Sequence, residues 1–197
     1  MKSKFIQKFL ILLILSFTDF ALAENEFIFE STTIEYQENE NLIIAKGNVK
    51  IDSSDGIDIV ADESKYFKLT KKLFLSGNVI IIDKDKNIKI ESDEVEYDKS
   101  TELIKSINET IIKINEKYII NTSNLNYLRL EKIIKSDNKT VLTDNFQNKV
   151  VASDFVYSID KKQFKSNNIR LTDKVSNEYI TSKSLIDLNT NKIAAKD

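Results

Sequence analysis

Apolar and polar residues alternate in short runs along nearly all of the chain from Phe27 onward. The runs are rich in Ile, Val, Tyr, Phe and Thr, and clusters of Asn, Asp, Lys and Ser separate them. Such alternation is typical of half-buried β-strands, and the polar clusters are typical of turns. The pattern predicts an all-β domain.

The pattern also repeats every 30 residues. An Asn recurs at that interval at Asn48, Asn78, Asn108, Asn138 and Asn168. Large apolar residues stand four places before each Asn, at Ile44, Phe74, Ile104, Ile134 and Phe164, and three places after it, at Ile51, Ile81, Ile111, Val141 and Leu171. A fixed period of this length indicates an array of one supersecondary unit. We predict about five hairpin repeats of 30 residues.

A second column, with one interval of 31 residues among intervals of 30, carries tyrosines and has Asp187 in its sixth place: Tyr36, Tyr66, Tyr97, Tyr127, Tyr157 and Asp187. Seven places before this column stand Ile59, Ile90, Ile120, Val150 and Ile180. Because seven is an odd offset, the two columns face the same side only if each strand shifts its phase between them. A β-bulge or sharp bend has this effect. Gly47-Asn48 and Gly77-Asn78 tolerate the left-handed backbone that a bulge can require.

Strands that bend at matching positions form a folded-over sheet with two walls and an apolar slot between them. We therefore predict an elongated antiparallel β-jelly-roll. A parallel β-helix, in which one Asn per coil stacks into a ladder, is the alternative. Short hairpin loops favour the antiparallel form, because parallel strands need longer crossover connections. The tyrosine column and the repeated Asn are interpreted as structural, in cross-strand packing and in bulges.

The first 23 residues have the features of a secretory signal peptide. Lys2, Lys4 and Lys8 precede an apolar run, and Ala21-Leu22-Ala23 provides a cleavage pattern. The run is too short for a spanning helix, which argues against a retained anchor. We predict cleavage after Ala23, export, and one mature domain of residues 24–197.

Composition excludes several kinds of chemistry. The chain has no Cys and no His, so it cannot form disulfides, Cys or His catalytic centres, or the usual zinc sites. The charges are balanced, with 29 basic and 31 acidic residues, which gives no reason to expect nucleic acid binding. The paired carboxylates Asp62-Glu63 and Asp93-Glu94 have the residue types of a glycosidase, but adjacent strand residues face opposite sides. We predict no enzymatic activity, no cofactor and no metal.

The motifs Ile34-Glu35-Tyr36 and Ala45-Lys46-Gly47-Asn48-Val49-Lys50-Ile51, followed by Leu73-Phe74-Leu75-Ser76-Gly77-Asn78-Val79, resemble the OstA-like domain of the lipopolysaccharide transport system. In that family the domain forms the periplasmic bridge protein LptA and the N-terminal part of the outer-membrane protein LptD. The resemblance covers essentially the whole mature chain, although Gly47 and Gly77 have no counterpart in the later repeats.

The resemblance implies a periplasmic protein that carries the acyl chains of lipopolysaccharide in its apolar slot. It also implies end-to-end strand pairing with other OstA-like domains, and a head-to-tail homo-oligomer as a further possibility. Candidate slot residues are Ile44, Ile59, Phe74, Ile90, Ile104, Ile120, Ile134, Val150 and Phe164. Two alternatives are the N-terminal domain of an LptD-type protein and a β-solenoid carbohydrate-active enzyme.

Overall fold

The computed structural model describes residues 27–190 and 192–196, and the predicted signal peptide lies outside them. The described part consists of β-strands joined by short turns, with one 3-10 turn at Glu38–Glu40 and no α-helix. No helix in residues 27–190 and 192–196 is long and apolar enough to cross a membrane. The strands are β1 Phe27–Glu30, β2 Thr33–Gln37, β3 Leu42–Ser53, β4 Ile57–Phe67, β5 Lys72–Asp83, β6 Ile88–Asp98, β7 Leu103–Ile114, β8 Tyr118–Ser123, β9 Asn126–Leu128, β10 Ile133–Ser136, β11 Thr140–Asp144, β12 Lys149–Ala152, β13 Phe155–Ser158, β14 Gln163–Thr172, β15 Glu178–Asp187 and β16 Lys192–Lys196.

The sixteen strands belong to one sheet, and each strand pairing within the described ranges is antiparallel. Strands β3 to β7 form a continuous meander of long hairpins. The predicted all-β antiparallel fold is confirmed. The parallel β-helix is wrong, because its coils require parallel neighbours.

The long strands bend near their midpoints. The register shifts between Lys46 and Val49 in β3 and between Ser76 and Val79 in β5. At these points Gly47 and Gly77 have φ of 76° and 75°, and the following Asn48 and Asn78 also have positive φ. A Cβ on Gly47 would lie 2.8 Å from Thr32 Oγ1, so both the backbone conformation and the space favour glycine. Further along the chain the bend interrupts the strands, which separates β8 from β9, β10 from β11 and β12 from β13.

The bend divides the sheet into two walls. The tyrosine wall contains the segments that carry Tyr66, Tyr97, Tyr127 and Tyr157, and the facing wall contains the other half of each long strand. The rings of Phe27 and Tyr66 show that the walls face each other, since their centroids are 5.0 Å apart. Phe27 pairs with Ser53 on the facing wall, whereas Tyr66 pairs with Ile43 on the tyrosine wall. The predicted folded-over sheet is therefore confirmed.

A long row of inward side chains crosses each wall. On the tyrosine wall the paired positions run Ile43, Tyr66, Leu73, Tyr97, Ile104, Tyr127, Ile134, Tyr157, Phe164 and Ile186. On the facing wall they run Ile51, Ile59, Ile81, Ile90, Ile112, Ile120, Leu142, Val150 and Leu171. Most of these side chains are buried, and together they form the hydrophobic core.

The prediction for the Asn-bearing strands needs one correction. Ile44 is half-buried and Phe74 is 40% exposed, so neither belongs to the inward rows. Leu73 and Leu75, on either side of Phe74, are buried. The cause is a step of 31 residues from Leu73 to Ile104 in the inward row, at the place where the tyrosine column also steps by 31. The interval between Asn78 and Asn108 is still 30 residues. Counting four places back from the Asn therefore reaches an inward residue in the later repeats but the residue next to it in the first two.

Candidate functional site

The candidate site is the slot between the two walls. The structure places seven of the nine predicted slot residues on the inward rows, all buried: Ile59, Ile90, Ile104, Ile120, Ile134, Val150 and Phe164. Ile59, Ile90, Ile120 and Val150 belong to the facing wall, and the other three belong to the tyrosine wall. Residues distant in sequence therefore meet across one interior.

Side chains fill the slot over the first three repeats. Tyr97 and Tyr127 are buried between the walls, and Leu73, Ile104 and Ile120 are fully enclosed. Phe27 packs edge-on against both Tyr66 and Tyr97, with ring centroids 5.0 and 5.8 Å apart. This part of the slot is a close-packed core, so a guest can enter it only if the walls separate.

A cluster of charged side chains joins the rims of the two walls at this closed part. We call it the rim clamp and define it as Asp55, Asp83, Lys99, Glu102 and Arg129. Asp55 and Asp83 lie at turns of the facing wall, and the other three lie at turns of the tyrosine wall. Lys99 Nζ is 2.5 Å from Asp55 Oδ2 and 2.6 Å from Glu102 Oε1. The clamp therefore bridges the side of the slot opposite the bend.

Arg129 is the centre of the rim clamp. Its Nη1 pairs with the carboxylates of Asp55 and Glu102, its Nη2 donates to the Asp55 carbonyl oxygen at 3.1 Å, and its Nε lies 3.3 Å from Asp83 Oδ2. Its side chain is only 11% exposed. A guanidinium suits this position because its planar fork of donors can serve several carboxylates at once.

Two buried tyrosines extend the rim clamp into the core. Tyr97 Oη donates to Glu102 Oε2 at 2.8 Å, and Tyr127 Oη donates to Asp83 Oδ2 at 2.7 Å. Burial is the main cause that raises the pKa of both hydroxyls, and the adjacent carboxylates raise it further. Both tyrosines therefore stay neutral donors at any physiological pH.

Two charges of the rim clamp, those of Asp55 and Arg129, are stable at neutral pH. Burial disfavours the Asp55 carboxylate, but hydrogen bonds from Lys99, Ser53 and Arg129 outweigh it and hold the pKa of Asp55 well below its usual range. Burial also opposes the charge of Arg129, yet its bond to Asp55 and the surrounding charges raise the pKa of the guanidinium. Asp55 and Arg129 thus form a fixed ion pair rather than a pair poised to titrate near pH 7.

The slot opens at its C-terminal end. Val150 and Leu171 on the facing wall and Ile186 and Ile193 on the tyrosine wall line two adjoining cavities of about 200 and 240 Å³. We call this space the C-terminal gap. Of the predicted slot residues, Val150 is the one that lines it. The gap can accept an apolar guest without displacing the packed core.

The first half of the chain also matches a known family. Residues 16–105 match the model of a family described as OstA-like protein. Over this segment the chain is similar to the OstA-like family. The predicted resemblance is confirmed there. The OstA-like segment contains both Gly-Asn bends and four of the five rim-clamp residues, whereas Arg129 and the C-terminal gap follow it.

Two further comparisons concern individual proteins. Among curated proteins, none matches the chain. Among solved structures, it is similar to LptH of Pseudomonas aeruginosa, described as the LptA-homologous periplasmic component of the lipopolysaccharide transport device. The identity is 7%, 72% of this chain and 81% of that chain are covered, and the TM-score is 0.30. The fold assignment rests on the strand register and not on this likeness.

Sequence reasoning did not find the rim clamp. Its members lie at turns. Lys99 and Arg129 are 30 residues apart, but Asp55, Asp83 and Glu102 do not keep that interval, so the repeat does not group the five residues. The one feature that could have pointed to the clamp is the residue type of Arg129. It is one of only two arginines in a chain whose other basic residues are lysines. The carboxylates that sequence reasoning did consider have ordinary surface roles: Asp62 accepts a hydrogen bond from Asn78 Nδ2, and Glu63 lies within 3.6 Å of Lys46 Nζ.

Proposed function

We propose that this protein is a periplasmic lipopolysaccharide-transport protein that carries acyl chains between its two walls. The observation that carries the proposal is the C-terminal gap, an apolar space between the walls of a folded-over sheet whose first half is OstA-like. The transport role is common to a free bridge protein and to the N-terminal domain of an LptD-type protein. The β-solenoid enzyme is no longer an alternative, because the described strands pair antiparallel.

The gain in free energy comes from removing hydrocarbon from water. Each buried methylene contributes about 0.8 kcal/mol, so a chain of about a dozen contributes on the order of 10 kcal/mol before the costs of binding. No chemical step is needed, and the walls act as a passive apolar surface. The first methylenes occupy the C-terminal gap. The packed rows between Val150 and Ile59 accept more of the chain only as the walls separate.

End-to-end contact with like domains is part of the same proposal. At the N-terminal end, β1 and β2 each pair with β3 on one side only within the described residues. At the C-terminal end, β16 and the Glu178–Ile180 part of β15 occupy the equivalent edges of the two walls. An edge strand presents unpaired N–H and C=O groups that can pair with another sheet. Pairing of opposite ends would join the slots of neighbouring molecules.

A charge placed in the C-terminal gap tests the proposal. Ile193 lines the gap and is 44% exposed, so Ile193→Asp can be made with little loss of core packing. Ile119 is 42% exposed on the outer face of the facing wall, and Ile119→Asp is the matched control. We expect Ile193→Asp to weaken the binding of fluorescently labelled lipopolysaccharide at least tenfold and Ile119→Asp to leave it unchanged. Equal binding by both variants would overturn the proposal.

A further inference from the structure

Two neighbouring turns at the rim of the facing wall carry exposed apolar side chains. Phe146, between β11 and β12, is 56% exposed, and Val175, between β14 and β15, is 67% exposed. We call these two side chains the apolar tips. The three earlier turns of the same rim carry carboxylates instead, at Asp55, Asp85 and Glu116. The rim therefore changes from acidic to apolar residues at the end where the slot is open.

The turns that carry the apolar tips have the same construction. Each begins with an aspartate and ends with an asparagine four residues later, Asp144 with Asn148 and Asp173 with Asn177. In each turn the aspartate Oδ1 accepts hydrogen bonds from two backbone N–H groups at 2.9 Å. Its Oδ2 accepts one from the asparagine Nδ2 at 2.8 Å. Because such bonds fix the backbone of a turn, both tips are held in a defined position.

The two turns are joined to each other and adjoin the C-terminal gap. The amide nitrogen of Lys174 donates a hydrogen bond to Asn148 Oδ1 at 3.1 Å, which connects one turn to the next. Asp144, Asn148 and Asp173, from the same two turns, line the gap. The apolar tips therefore stand beside the opening of the gap.

The small area of the apolar tips favours a lipid surface over a protein as their partner. Together the two side chains expose on the order of 200 Å². A stable protein interface buries about 800 Å² on each partner, so the tips alone are too small to form one. A bilayer interface accepts isolated apolar side chains, because each buries its own area at the boundary of head groups and acyl chains.

The charges around the apolar tips are compatible with such a surface. Lys149 and Lys174 are exposed beside the tips, and their two positive charges balance those of the two turn aspartates. An anionic lipid surface therefore meets no net negative charge at these two turns. The apolar side chains then provide the attraction.

We propose that Phe146 and Val175 insert into the interface of a phospholipid bilayer and so dock the open end of the slot on a membrane. This inference goes beyond the proposed function, since docking needs the two tips and not a lipid in the slot. It adds a place of exchange, because an acyl chain that leaves the bilayer beside the tips can enter the C-terminal gap without crossing water.

A tryptophan at the first tip tests the inference, because the chain has none of its own. In Phe146→Trp, position 146 is the sole source of tryptophan fluorescence. With vesicles of equal parts phosphatidylethanolamine and phosphatidylglycerol, its emission should shift to shorter wavelength as the side chain leaves water. Leu69→Trp is the matched control, since Leu69 is 80% exposed in the turn between β4 and β5 on the rim of the tyrosine wall. Its emission should not change.

Co-sedimentation with the same vesicles measures docking without a tryptophan. The double variant Phe146→Ser and Val175→Ser should bind at least tenfold more weakly than the wild type, since the burial of two apolar side chains is lost. The double variant Leu69→Ser and Leu130→Ser removes two side chains that are 80% and 72% exposed at turns of the tyrosine wall, and it should bind like the wild type. All four positions are exposed, so neither double variant should change the unfolding temperature.

Three results would overturn the docking proposal. They are an unshifted spectrum from position 146, equal shifts from positions 146 and 69, and equal vesicle binding by the two double variants. Each would leave the lipid-carrying slot standing, because that proposal is tested by the binding of lipopolysaccharide to Ile193→Asp and Ile119→Asp.

Discussion

At the scale of single residues, the rim clamp shows how a few turn side chains hold the two walls together. Arg129 reaches three carboxylates that come from three different turns. The 30-residue period led to seven residues of the inward rows and to two that lie off them, Ile44 and Phe74, because a repeated inward position leaves a repeated apolar residue. It could not predict the clamp, because ion pairs between turns depend on which turns the bend brings together.

Replacing Arg129 should strongly destabilise the protein. Arg129→Met leaves Asp83 buried beside Tyr127 and leaves Asp55 and Glu102 without their shared partner. Removing one partner of a buried ion pair costs about 3–5 kcal/mol. For a domain of this size that corresponds to a fall in Tm of roughly 6–20 °C, which thermal unfolding followed by circular dichroism would measure.

Arg170, whose side chain is 57% exposed, provides the control. Arg170→Met should shift Tm by no more than a degree or two, and an equal shift for both variants would refute the role of the clamp.

Asp55 should make stability depend on pH only under acidic conditions. Its pKa in the folded protein lies below the value of about 3.9 expected for the unfolded chain. The carboxylate therefore contributes stability above about pH 4, and this contribution is lost as the pH falls below that value. Between pH 5 and 7 the contribution should be constant. A series of Tm measurements from pH 7 to pH 2 would show the loss in the wild type and a smaller loss in Asp55→Asn. Parallel curves for the two proteins would contradict this assignment.

At the scale of strands, the sequence predicted the alternation, the bend and the antiparallel arrangement. The tyrosine strands were predicted well, because the odd offset between Ile59 and Tyr66 requires a phase shift that the bulge supplies. The Asn-bearing strands were predicted less well. Asn48 and Asn78 follow a left-handed glycine, whereas Asn108 has Ile107 before it, so the same Asn marks a different point of the bend. Spacing alone does not distinguish these cases.

The corrected phase of β5 can be tested with adjacent residues. Leu73 is fully buried on the inward row, whereas Phe74 faces outward and contacts the Phe67 ring, with centroids 5.7 Å apart. Leu73→Ala should therefore lower the free energy of unfolding by about 2–5 kcal/mol. Phe74→Ala should cost about 1 kcal/mol, since it removes a half-exposed edge-on contact. Chemical denaturation measures both values. A larger loss for Phe74→Ala would show that the Asn-based phase was right.

At the scale of the whole molecule, the two ends of the slot differ. The rim clamp holds the walls together over the packed second and third repeats, and the C-terminal gap leaves them apart beyond Val150. The gap could not be predicted from the period. Leu171 and Ile186 have the same residue types as their counterparts in the core, and their accessibility depends on how few strands follow them. The slot is therefore closed over its earlier repeats and open at its C-terminal end.

If the ends of the sheet pair with each other, association should increase with protein concentration. Sizing by multi-angle light scattering should then show elongated species that grow as the concentration rises. A lysine on an edge strand discourages such pairing. Ile34→Lys, on exposed β2, should therefore reduce association, and Ile119→Lys, on the outer face of the facing wall, should not. A monomer at all concentrations would contradict the pairing of ends.

The most direct measurement is photocrosslinking to lipopolysaccharide from two adjacent positions of β14. Leu171 points into the C-terminal gap, whereas Arg170 is exposed and forms an ion pair with Glu178 on the outer face. A photoreactive amino acid at position 171 should capture lipopolysaccharide, and the same amino acid at position 170 should not. Equal capture at both positions, or capture at position 170 alone, would contradict a lipid-carrying slot between the walls.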